Sequence, residues 1–163
     1  MCFNLESIVV DEANPSYDSR NNCNAIIETA TDTLLRGCKT TVIPEDVVFI
    51  GHYAFSGCNG LEEIVIPDAV HSIGEGAFGS CSHLRTITFG SGVKSIGRLP
   101  FGDMSFAFRP TMPLNTIVFK GAVPPAFVEA YGAFSETMKS YVQLLVPEGA
   151  LAAYQSAEVW KDF

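Results

Sequence analysis

Five cysteines, three histidines and a short acidic run are the side chains of this chain that could hold a metal or carry a nucleophile. Zinc takes thiolate and imidazole ligands, usually in closely spaced pairs. Cys2, Cys23, Cys38, Cys58 and Cys81 include no C-x₂-C pair, and His52, His71 and His83 are dispersed. Asp11, Glu12 and Asp18 lack the D-x-D-x-D-G spacing of a calcium loop and read as a solvated loop. Ser80 and Ser82 lie in G-S-C-S, without the strand-to-helix elbow that exposes a serine nucleophile. Gly51, Gly74 and Gly97 recur as single turn residues, not as a G-x-G-x-x-G phosphate cradle. The sequence thus predicts no catalytic residue, no cofactor and no metal site. An enzyme would need an inserted loop to build a pocket around His71 or His83.

Non-covalent recognition is the remaining chemistry. Tyr, Trp and Arg dominate binding hot spots. Irregular segments carry Tyr17, Arg20, Phe106, Phe108, Arg109 and Tyr131, and these are the candidate ligand-binding residues. Packing of the loops against the body is the competing role for the aromatics. A net charge of −8, with ten scattered basic residues, argues against nucleic acid and anionic lipid as partners. No apolar run is long enough for a transmembrane helix. The opening MCFNLESI has no basic n-region and no apolar core, so it does not read as a signal peptide.

The elements that must position these side chains come from a repeat. LEEIVIPDAVHSIGEGAFGSCSH is followed by LRTITFGSGVKSIGRLPFGDM, with Leu61 on Leu84, Ile64 on Ile87, Val70 on Val93, Ile73-Gly74 on Ile96-Gly97 and Phe78 on Phe101, a period of 23 residues. Upstream, Ile43-Pro44, Val47, Ile50-Gly51, Ala54-Phe55 and Cys58 match the same frame. Within each repeat, Leu-x-x-Ile-x-Ile ends with the alternation of a strand, and Pro67 stops it by removing a ladder donor. Val70-x-x-Ile73 is a second short extended piece, and Glu75 to Cys81 reads as a short helix or helical turn. Cys2, Cys58 and Cys81 share one repeat position, which predicts a ladder of buried thiols. One repeat buries too little to order itself, so stacking on its neighbours is required.

This pattern predicts an α/β solenoid of leucine-rich-repeat type, with parallel short strands, short helical turns and a period of about 23 residues. A single domain spans 1–163. Residues 11–37 are an excursion in which Ala25-Ile26-Ile27 and Thr33-Leu34-Leu35 flank ETATD as a β-hairpin. Leu84 and Leu114 are 30 apart, which places an insertion within 97–113. Residues 147–163 read as a C-terminal cap, with Trp160 packing the end. Because Cys2 precedes Leu5 as Cys58 precedes Leu61, the chain opens mid-repeat, as a C-terminal piece of a longer array would.

IPEDVVFIGHYAFSGCNGLEEIVIP and IPDAVHSIGEGAFGSCSHLRTITF resemble the BspA-like leucine-rich repeats of bacterial cell-surface proteins. The opening LESIVVDEANPSYDSRNNCNAIIETATDTLLRGCKTTVIP and the ending LLVPEGALAAYQSAEVWKDF resemble units of the same family. Pro100 and Met104 depart from its usual Ala and Cys. The resemblance implies export, display at the cell surface, and adhesion to a protein or glycan on host or bacterial surfaces. It supplies no catalytic motif. A structural spacer presenting another domain and a carbohydrate-binding module are the alternatives.

Strand alternation places Ser7 and Val9, Thr40 and Val42, Glu63 and Val65, Thr86 and Thr88, Thr116 and Val118, and Gln143 and Leu145 on one outward face. Six such strands, about 4.8 Å apart, make roughly 350 Å² of face. A standard interface takes about 800 Å² per partner. The face alone is therefore too small to bind a protein tightly, and the inserted loops are expected to supply the anchors.

Overall fold

A computed structural model describes residues 5–102, 114–128, 134 and 136–163. In chain order its strands are β1 (Tyr17–Asp18), β2 (Ala25–Glu28), β3 (Thr33–Gly37), β4 (Phe49–Ile50), β5 (Glu63–Ile66), β6 (Ser72–Ile73), β7 (Thr86–Phe89), β8 (Ser95–Ile96), β9 (Thr116–Phe119), β10 (Ala126–Phe127) and β11 (Gln143–Leu145). Two short helices, α1 (Glu136–Tyr141) and α2 (Leu151–Ser156), flank β11. Among the described residues, β5, β7, β9 and β11 form one parallel sheet. The other sheet runs β1-β2-β3-β4-β6-β8-β10, antiparallel through β1–β3 and parallel thereafter.

The strand pairs follow the repeat. Glu63 pairs with Thr86 and Ser72 with Ser95, each 23 residues on. Thr86 pairs with Thr116, 30 residues on, so the extra residues leave the ladder in register. Within β5, Ile64 and Ile66 point inward and are buried, while Glu63 and Val65 face out. The core lies between the sheets: Leu61, Ile64, Ile66, Val70, Ile73, Ala77, Phe78 and Cys81 come from one repeat. Phe55, Phe78 and Phe101 stack at 5.4 and 6.0 Å between centroids, so equivalent residues touch equivalent residues. Near the C-terminus, Phe119 meets Tyr154 and Trp160 at 5.5 and 4.8 Å. The Trp160 indole donates to the Pro125 carbonyl at 2.9 Å.

Glu75–Cys81, expected as a helical turn, is instead a series of tight turns. Alternate backbone donors go to the next repeat, while others, such as Gly79 N–H to Gly76 and Cys81 N–H to Phe78, close tight turns internally. Tyr53, Phe55 and Gly57 N–H donate to the carbonyls of Glu75, Ala77 and Gly79 at 2.9, 2.7 and 2.8 Å. Gly76 and Phe78 repeat this toward Arg98 and Pro100. The chain turns left-handed at Tyr53, Gly76 and Leu99 (φ 56°, 59° and 49°), which breaks any helical run at the same place in each repeat.

Two expected outer strands are absent. Leu5–Val10 and Cys38–Ile43 have no strand assignment. In the second segment the side chain of Thr41 competes with the ladder. Its hydroxyl donates to the Asn24 carbonyl at 2.6 Å and accepts from Cys38 N–H at 2.7 Å. Val42 N–H goes to the Cys23 carbonyl. These bonds tie the segment to the chain leading into the hairpin. The last strand is short, Gln143–Leu145, because Tyr141 ends α1 and Val142 N–H still bonds the Met138 carbonyl.

Candidate functional site

The four-stranded sheet presents the outward rows that alternation predicts. Glu63, Thr86, Thr116 and Gln143 make a polar row, and Val65, Thr88, Val118 and Leu145 a more apolar one. Beyond β5, Thr40 and Ser7 are exposed, and Val42 and Val9 are 75% and 82% exposed even without a regular strand. The face carries a single carboxylate, Glu63, and no Tyr, Trp or Arg.

The hairpin side chains are placed differently from one another. Tyr17, on β1, is exposed. Arg20 is held by three carboxylates: Asp18 at 2.8 Å, Asp32 at 2.7 Å and Asp46 at 2.8 Å. Asp32 belongs to the hairpin turn and Asp46 to the loop before β4, so Arg20 staples the excursion to the first regular repeat. Its hydrogen bond holds the Asp18 carboxyl below its ordinary range. Phe106, Phe108, Arg109 and Tyr131 lie outside the described residues, as does Cys2.

Cys23, Cys38, Cys58 and Cys81 are buried free thiols. The Cys81 thiol donates to the Phe55 carbonyl at 3.1 Å and that of Cys58 to the Gly37 carbonyl at 3.5 Å. Burial pushes Cys58 up to about 11 and Cys81 up to about 12, away from the reactive thiolate. Among the described residues no group of His, Cys, Asp and Glu is placed to hold a metal ion. The three histidines do not converge. His52 Nδ1 accepts from Glu75 N–H, His83 Nδ1 contacts Ser82 Oγ, and His71 is exposed.

The outer face of the seven-stranded sheet carries a feature that sequence reasoning missed. A depression of about 330 Å³ is lined by Phe49, His52, Ser72, Ile73, Gly74, Glu75, Gly97, Arg98 and Val128. Its floor is backbone, because the repeats approach so closely at Gly74 and Gly97 that a Cβ would lie 2.6 Å from His52 N and from Glu75 N. Its rim is a ladder of unlike residues at one repeat position: His52, Glu75 and Arg98. Arg98 donates to the Glu75 carboxylate at 3.1 Å. That bond, then the Tyr53 hydroxyl, hold the Glu75 carboxyl below its ordinary range. The signal was present in the sequence as the spacing of 52, 75 and 98. Comparing the histidines with each other does not show it; comparing each with its repeat equivalents does.

Among the described residues no helix is long and apolar enough to cross a membrane. Comparison with known proteins agrees with the fold. The chain is similar to a leucine-rich repeat protein from Bacteroides capillosus, whose crystal structure matches with a TM-score of 0.54 at 20% identity over 87% of this chain and 99% of that one. It is also similar to a leucine rich cell surface protein from Faecalibacterium prausnitzii, with a TM-score of 0.48 and 21% identity over 93% of this chain and 45% of that one. No curated protein matches. The model of the BspA type leucine rich repeat region matches residues 21–123 in six copies, more than half of the chain. With its parallel ladders and stacked repeat residues, this chain belongs to the BspA-type leucine-rich-repeat family.

Proposed function

We propose that this chain is a non-catalytic, extracellular protein-interaction module that serves adhesion of a bacterial surface protein to host or bacterial ligands. The observation that carries the reading is the set of outward apolar side chains: Val9, Val42 and Val65 are 82%, 75% and 56% exposed. Exposed apolar surface, where it is extensive, marks interaction sites. The row continues into the more polar Thr88, Val118 and Leu145, which makes a platform of short side chains. Anchors come from the loops, with Tyr17, Phe106, Phe108, Arg109 and Tyr131 as the candidates. Arg20, given its three carboxylate partners, contributes by fixing the hairpin that carries Tyr17. Display at the cell surface rests on the family resemblance.

The test is a binding screen of the purified domain against host matrix proteins and mucin. It is run beside Phe108→Ala/Arg109→Ala and Val42→Asp/Val65→Asp variants. Saturable binding is expected, abolished by the loop pair and weakened by the sheet pair. No binding by a well-folded wild-type domain would replace this reading with the structural spacer. The spacer reading has its own support in the continuous backbone hydrogen bonds from repeat to repeat, which make a stiff unit.

A further inference from the structure

The depression beside His52, Glu75 and Arg98 lies on a different sheet from the proposed protein-binding platform, and its chemistry is different. At about 330 Å³ it sits at the small end of ligand pockets, which run from about 300 to 1,000 Å³. That is room for one ring and not for a folded partner. Phe49 and Ser72 pair across β4 and β6, and Ser72 and Ser95 across β6 and β8, so a large flat side chain stands next to two small ones. Phe49 and Val128 supply apolar wall, whereas the Ile73 side chain belongs to the core. Val128 is itself 73% exposed.

The polar groups on the rim are of both kinds. Glu75 N–H donates to His52 Nδ1 at 3.1 Å, and a backbone N–H can only donate, so Nδ1 is the unprotonated nitrogen. The neutral ring therefore carries its hydrogen on Nε2 and is a donor there. The Glu75 carboxylate is an acceptor, positioned by Arg98 and Tyr53. Ser72 and Ser95 share one hydrogen bond at 2.8 Å, and hydroxyls of this kind both donate and accept. The Glu75 and Arg98 charges offset each other, so the site does not select a charged ligand. Donors and acceptors in alternation beside an aromatic wall match a neutral ring with hydroxyls on its edge and C–H groups on its face.

We propose that this depression binds a single neutral pyranose ring, the terminal sugar of a glycan. The sugar's C–H face packs on Phe49, its hydroxyls donate to Glu75 and accept from His52 Nε2–H, and Ser72 sets the depth. One ring with a few hydrogen bonds predicts millimolar affinity. The proposal goes beyond the protein-interaction reading and stands or falls separately, since the platform variants leave this site intact.

The experiment is an NMR titration of the full chain with neutral methyl pyranosides, with p-cresol as an apolar probe and a methyl uronate as a charged one. Saturable shifts are expected for at least one neutral pyranoside. They should centre on residues 49, 52, 72–75 and 98, be at least several-fold weaker for the uronate, and be absent for p-cresol. Ser72→Val replaces the hydroxyl with methyl groups at the floor, and Phe49→Ala removes the wall. Either should weaken binding at least tenfold. Immobilised glycans with the same terminal sugar should bind with the same dependence. No localised shift with any neutral pyranoside overturns the proposal. So does equal response to p-cresol, which would mark a plain apolar dent, or unchanged binding by both variants.

Discussion

Replacing Gly74 by alanine separates two physical effects of opposite sign. Gly74 is not in the left-handed region, so its backbone suits alanine. A glycine-to-alanine change at such a site normally stabilises by about 0.4–1 kcal/mol, by restricting the unfolded chain. Here, however, the new Cβ would lie 2.6 Å from His52 N and 2.7 Å from Gly51 C, both backbone atoms of the preceding repeat. Ordinary contact begins at 3.4 Å, so the repeats would have to part by about 0.8 Å at this point. The Gly74 N–H to Ile50 carbonyl bond, now 2.7 Å, would stretch to about 3.5 Å, beyond useful length. Losing that bond costs about 0.5–1.5 kcal/mol, and forcing a methyl into a packed site costs about 1–3 kcal/mol. After subtraction of the entropic gain, a net loss of about 0.5–4 kcal/mol, centred near 2.5, is expected. For a domain of this size that lowers Tm by roughly 5–10 °C.

The assay is thermal unfolding followed by circular dichroism, with Gly97→Ala and Gly149→Ala as companions. Gly97 faces the same spacing, 2.6 Å to Glu75 N, and should behave like Gly74. Gly149 has φ +84° and nothing within 4 Å, so alanine there meets only backbone strain, about 1 kcal/mol. A Gly74→Ala protein with unchanged or raised Tm would refute the close stacking from which the cost is derived.

Two further outcomes follow from the same structure. Cys23, Cys38, Cys58 and Cys81 should resist iodoacetamide in the native protein and react together only on unfolding, as peptide mapping of alkylated protein will report; modification of Cys81 without loss of the folded signal would contradict its burial. Arg20→Gln should cost about 1–2 kcal/mol at neutral pH, since a half-buried guanidinium loses three ion pairs, those to Asp32 and Asp46 solvent-screened. The Asp18 carboxyl is held below its ordinary 3.8, so the pair contributes fully above that pH and is lost as pH falls through the lower folded value. The stability gap between wild type and variant should therefore narrow below about pH 4, and a gap constant down to pH 2 would show that the ion pair is not its source.

What was legible in the sequence was whatever repeats. Ile64 and Ile66 alternate with Glu63 and Val65 because a half-buried strand requires it, and that alternation names both core and platform without coordinates. The hairpin was legible too, since ETATD between two short apolar runs leaves few alternatives. The turns were misjudged for a specific reason. Ala77, Phe78 and Cys81 have helical spacing, but spacing reports only which side chains point inward. It is silent on where backbone donors go, and here alternate ones go sideways to Ala77, Gly79, Arg98 and Pro100. The missing strand at Cys38–Ile43 is a similar case. Its pattern is right, but the Thr41 hydroxyl finds Asn24, a partner brought near only by the excursion. The depression was hidden for the opposite reason. It is made by residues that are absent in bulk, Gly74, Gly97 and Ser72, ringed by His52, Glu75 and Arg98, which share a repeat position but no chemical type. In a stacked array, unlike residues at one repeat position become neighbours as surely as like ones do. A departure from the repeat is then as informative as the repeat itself, because it places a donor beside an acceptor at the spacing of one strand.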